Sequence, residues 1–90
     1  MAKQKGSIPA TINATLFGLA RALDEQGKIH QSLDPYLKVV VQHPDSPEAS
    51  LATDRLFEII DAFRGAGQIH MALRLLERLE TALPQERSDV

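Results

Sequence analysis

Hydrophobic residues recur along this chain at three- and four-residue steps, the spacing that gathers them on one face of an α-helix. Leu16, Leu19, Ala20 and Leu23 form one such stripe, which Gln26-Gly27 ends. Glycine at that point can take the left-handed conformation of a helix C-terminus with no Cβ clash. A second stripe, Ile29, Leu33, Tyr36, Val39 and Val40, stops at Pro44. Ser46-Pro47-Glu48 then predicts a helix start, with Ser as N-cap, Pro in the first turn and an acid at the positive end of the dipole. A third helix runs from there to about Arg64 with Leu51, Phe57, Ile60 and Phe63. Gly65-Ala66-Gly67 turns the chain, and Ile69 to Leu83 makes a fourth helix before Pro84. Pro35 interrupts the second stripe, because inside a helix it removes a donor and crowds the preceding turn, at a cost of about 3 kcal/mol. Either the helix bends there or it begins late with Asp34 as N-cap. The stripe starts at Ile29, so the bend is expected.

The two halves repeat one another. A shift of 40 residues places Gly27 on Gly67, Ile29 on Ile69, His30 on His70, Phe17 on Phe57, Leu33 on Leu73 and Pro44 on Pro84, with no gap. Conservative pairs extend the match: Leu16 with Leu56, Leu19 with Ile59, Leu23 with Phe63, Ser32 with Ala72 and Tyr36 with Leu76. Each copy is a helix, a glycine turn, a second helix and a proline stop. The expected fold is all-α, two stacked antiparallel hairpins with four helices. One domain is expected over residues 12–84, its repeats at 12–44 and 46–84, flanked by flexible segments at 1–11 and 85–90.

In the spacing of Gly27, Ser32, Tyr36 and Pro44, and of Gly67, Ala72, Leu76 and Pro84, the chain resembles a pair of tetratricopeptide repeats. Leu16, Leu19, Ala20 and Leu23, then Leu56, Ile59, Ile60 and Phe63, fall on that family's first-helix positions. Two departures stand out. The family's period is about 34 residues, so roughly six extra residues lie near His43 to Thr53, expected as a longer third helix. Ile60 also replaces a small residue. The junction His43-Pro44-Asp45-Ser46-Pro47-Glu48-Ala49 resembles those of bacterial cell-envelope members, which carry export signals; none is recognised here. The resemblance implies a concave groove lined by the first helix of each repeat. By position that groove takes Ala14, Phe17, Arg21, Asp24 and Glu25, then Asp54, Phe57, Asp61 and Arg64. Phe17 and Phe57 are either two apolar anchors one repeat apart or part of the core. The Lys and Asn cluster by which some members clamp a terminal carboxylate is not among these residues.

The fourth helix carries more apolar surface than one contact needs. Ile69, Ala72, Leu73, Leu76 and Leu83 are expected to pack on the preceding helix. Met71, Leu75, Leu79 and Ala82 widen the arc to roughly 200°, about twice that of a surface helix. The resemblance implies that longer members cover this face, so these four residues are expected to form an interface with a partner or a second copy. Alternatively, Arg74 and Arg78 lay their stems over it.

Composition narrows the function. With 43% hydrophobic and 4% aromatic residues, the core must be aliphatic. The absence of cysteine removes disulfides, thiolate metal sites and thiol nucleophiles. A net charge of −2, with no basic run, gives no field for a phosphate backbone, so no nucleic-acid partner is expected. No stretch approaches the roughly 20 apolar residues of a membrane span, and a soluble cytoplasmic protein is expected. His30, His43 and His70 lack metal-ligand spacing, and Gly65-Ala66-Gly67 does not match a phosphate loop. No enzyme activity, metal or cofactor is therefore expected. The expected function is a protein-interaction module or small adaptor that binds a peptide or helix, with a homodimer through the fourth helix as the alternative.

Overall fold

A computed structural model describes residues 4–83, with side-chain environments from residue 10 onward. It contains four α-helices: α1 (Gln4–Glu25), α2 (Ile29–Gln42), α3 (Pro47–Gly65) and α4 (Ile69–Ala82). They form two antiparallel hairpins. α2 packs on both α1 and α3, and α4 packs on α3 and touches α2. Pro84 and the tail 85–90 lie outside the described residues. Residues 1–3 of the expected flexible segment over 1–11 likewise lie outside the described residues, and α1 begins at Gln4, ahead of the expected domain start at residue 12.

The two glycine turns are built alike. Gly27 and Gly67 have φ of 83° and 82°, a region that side chains rarely enter. At the first, the Lys28 amide donates to the Leu23 carbonyl at 2.9 Å and the Gly27 amide to Asp24 at 2.9 Å. At the second, Gln68 donates to Phe63 at 2.8 Å and Gly67 to Arg64 at 3.0 Å. Both are Schellman motifs, which satisfy carbonyls that a helix end otherwise leaves open. The junction between hairpins is closed differently. Ser46 caps α3, its Oγ accepting from the Ala49 amide at 3.1 Å and donating to the His43 carbonyl at 2.8 Å. Buried Asn13 reaches across from α1, its amide donating to Ser46 Oγ and Glu48 Oε1, both at 3.1 Å.

The core is aliphatic and centred on α2. That helix buries Ser32, Leu33, Pro35, Tyr36, Leu37, Val39 and Val40. Ala20 from α1, Ala49, Ala52, Leu56, Ile59 and Phe63 from α3, and Ala72, Leu75 and Leu79 from α4 complete it. The alanines let the helices approach closely, and the buried Ser32 hydroxyl is satisfied by the Ile29 carbonyl at 2.7 Å. α2 starts at Ile29 with Pro35 inside it, so the helix does not begin late at Asp34. Pro35 is itself buried, and burial of its ring offsets part of the cost of its missing donor.

The expected split of α4 into a packing face and an outer face is corrected. Leu75 and Leu79, assigned to the interface, are fully buried, and Met71 and Ala82 are half-buried against the core. Ile69 and Leu73, assigned to the core, are half-exposed instead. The reason is geometric. Seated on α3 and touching α2, the helix turns the middle of its wide arc inward, where Ala72, Leu75 and Leu79 lie. The two flanks are left partly uncovered.

Candidate functional site

The first helices of the two hairpins, α1 and α3, enclose a groove of about 550 Å³. Phe17, Arg21, Asp24 and Glu25 come to it from α1; Leu51, Asp54, Arg55 and Glu58 come from α3. Tyr36 of α2 forms part of its floor. Phe17 is half-buried with its edge on the Tyr36 ring, centroids 6.1 Å apart. Arg21 lies over the outer face of Phe17, 5.8 Å from the ring centre, and pairs with Glu25 at 3.1 Å. Phe17 is thus both a packing residue and a groove wall.

A charge cluster fixes one end of the groove. Arg55 grips the Asp24 carboxylate with two nitrogens, Nε to Oδ2 at 2.7 Å and Nη2 to Oδ1 at 2.9 Å. Its Nη1 donates to Glu58 at 3.0 Å. The buried Tyr36 hydroxyl donates to Asp24 Oδ2 at 2.7 Å. These bonds join α1, α2 and α3 at one carboxylate. The hydrogen bond from Arg55, aided by Tyr36 and opposed by burial, holds the Asp24 carboxyl below its ordinary value of 3.8. Burial, and then the bond to Asp24, push the Tyr36 hydroxyl above its ordinary value. Asp54 has no ion-pair partner among the described residues.

Five of the nine expected groove residues, Phe17, Arg21, Asp24, Glu25 and Asp54, come together here. Ala14, Phe57, Asp61 and Arg64 do not line it. Phe57 lies six positions beyond Leu51 on the helix, which turns it roughly 120° away from the groove. Phe57 is half-exposed, and Asp61 pairs with Arg64 on its own helix. The two phenylalanines are therefore not equivalent. Arg55, Leu51 and Glu58, and the hydroxyl role of Tyr36, were not expected. Finding them requires the register of α1 against α3, although an unmatched Arg on the third helix and an acid late in the first offered a hint.

A second depression of about 420 Å³ opens between α2 and α4. Leu33, Phe63, His70, Met71, Arg74, Leu75 and Arg78 line it, so two of the expected interface residues edge a cleft rather than a flat face. Arg78 spans to Asp34 of α2 at 2.6 Å. His30 stacks on Phe63, centroids 5.7 Å apart. Among the described residues no helix is long and apolar enough to cross a membrane. No family model, curated protein or solved structure matches the chain.

Proposed function

We propose that this chain is a non-catalytic interaction module of the tetratricopeptide type, which seats a peptide or helix of another protein in the α1–α3 groove. The observation that carries this reading is the make-up of the groove. Apolar surface from Phe17 and Leu51 lies beside the carboxylates of Asp24, Glu25, Asp54 and Glu58. The cations that line it among the described residues, Arg21 and Arg55, are already engaged by Glu25, Asp24 and Glu58. The residual field is negative, so the groove suits a segment with an apolar side chain flanked by Lys or Arg. Acid–base catalysis draws little support from the same residues. Asp24 is held ionised well below neutral pH by its partners, away from the poise that a general acid or base needs.

Selection from a displayed random-peptide library, followed by fluorescence anisotropy on the enriched sequences, tests the reading. Basic–apolar motifs should be enriched, and Asp54→Lys and Leu51→Asp should each weaken binding by about tenfold or more. Both residues are exposed, so the fold should survive. Enriched peptides that bind both variants as tightly as the parent, or no enrichment at all, would sink the proposal.

A further inference from the structure

Inside the molecule, α3 covers one side of α2, and the residues of that joint have repeat-equivalents at the two outer helices. On α3, Ala52 and Ile59 are 0% and 3% exposed; their equivalents on α1, Ile12 and Leu19, are both 49% exposed. On α2, Leu33 is 9% exposed; its equivalent on α4, Leu73, is 51% exposed, and Ile69 beside it 48%. Half-buried Leu16 and Leu23 continue the α1 stripe, as Leu76 continues that of α4. The molecule thus displays the two halves of its own α2–α3 joint on opposite sides.

We propose that copies of this chain stack head to tail, α1 of one copy packing on α4 of the next as α3 packs on α2 within each. The occupant of the α4 face is a second copy because the face repeats the chemistry of α2, and α1 repeats that of α3. His30 stacks on Phe63 across the internal joint; at the joint between copies His70 meets Leu23. Stacking also gives Phe57, Asp61 and Arg64 a place. They are the repeat-equivalents of Phe17, Arg21 and Asp24, so they line a further groove between α3 and the incoming α1. That accounts for a half-exposed phenylalanine that the α1–α3 groove does not use.

The joint between copies is weaker than the internal one. Glu80 stands where α2 has Val40, and Ile12 is bulkier than Ala52. The Asp24–Arg55 clasp is not reproduced, since its equivalents are Arg64 and Thr15. Association therefore rests on the apolar stripes and is reversible. It is heterologous, so assembly continues beyond a dimer instead of closing on one twofold axis.

Sedimentation velocity over a concentration series reaching the millimolar range tests this with the parent chain, Leu19→Glu, Leu73→Glu and an equimolar mixture of the two variants. The parent's average mass should climb steadily past that of a dimer. Each variant alone should remain monomeric, because one of its two faces is blocked. The mixture should form a dimer and stop there, joined through the two intact faces. A parent that stays monomeric overturns the proposal. So does a dimer abolished by Leu73→Glu and untouched by Leu19→Glu, the mark of a symmetric α4–α4 contact, or a mixture that does not associate. Circular dichroism checks that both variants are folded; Leu19→Gln and Leu73→Gln repeat the mixing if a glutamate variant loses its helical signal.

Discussion

α2 and α4 are both 14 residues long, follow equivalent glycine turns and carry matching apolar positions, yet they are buried very differently. α2 lies between two hairpin neighbours and buries residues over roughly 200° of its circumference, including a serine and a proline. α4 has α3 beneath it and only the edge of α2 beside it, and it buries Ala72, Leu75 and Leu79 alone. The difference teaches that the repeat specifies which residues are able to be covered, while the number of neighbouring helices decides which of them are. Position in the stack, rather than local pattern, sets the energetic weight of a side chain.

The largest expected effect breaks this comparison directly. Leu33→Ala should cost about 3 kcal/mol in urea unfolding, as for a buried leucine, whereas the equivalent Leu73→Ala should cost under about 1 kcal/mol. Equal losses at micromolar concentration would show that the α4 face is covered even in a lone chain, and the comparison would fail.

The clasp comes next. Arg55→Met leaves the Asp24 carboxylate with Tyr36 as its remaining partner and should cost about 1–2 kcal/mol. The repeat-equivalent substitution, Thr15→Met, lies on an exposed part of α1 and should change stability little. A pH series adds the sign. Asp24 has its folded pKa below the unfolded value of 3.8, so its stabilisation is full above about pH 4 and is lost as pH falls through the depressed folded value. Thermal melts between about pH 6 and about pH 2 should show this acid-side loss in the parent and a shallower one in Arg55→Met. Parallel curves would deny Asp24 the role.

The smallest contrast is expected at the turns, where the two hairpins are alike. A Cβ at Gly27 or Gly67 meets open space, so the cost of Gly→Ala is backbone strain alone, about 1 kcal/mol at each. Matching losses would confirm that the hairpins differ in neighbours and not in their turns.

Much of this fold was legible because it rests on local rules. The glycine turns, the Ser46 cap and the start of the third helix at Pro47 follow from residue chemistry within a few positions. The Pro35 alternatives were separated by the stripe that begins at Ile29. The face of α4 was misjudged because an apolar arc near 200° does not say which of its sectors points inward; only the seat of α4 on α3 and α2 decides that. The site was legible in part for the same reason. Phe17, Arg21, Asp24 and Asp54 follow from repeat position, but Arg55 meets Asp24 only through the stagger of two helices 31 residues apart in sequence. Asn13, buried and bonded to Ser46 and Glu48, likewise depends on where α1 crosses the junction.

The order in which the helices lean on one another also sets how the molecule breathes. With contacts running mainly from each helix to the next, opening can start at either end without dismantling the middle. Backbone amides of α2 and α3 then exchange with solvent only on near-global unfolding, while those of α1 and α4 exchange through cheaper, sub-global excursions. Whatever settles on an outer helix becomes a brake on that fraying. Occupancy of either end is thereby recorded in the deuterium uptake of a helix, even when the bound molecule itself gives no signal.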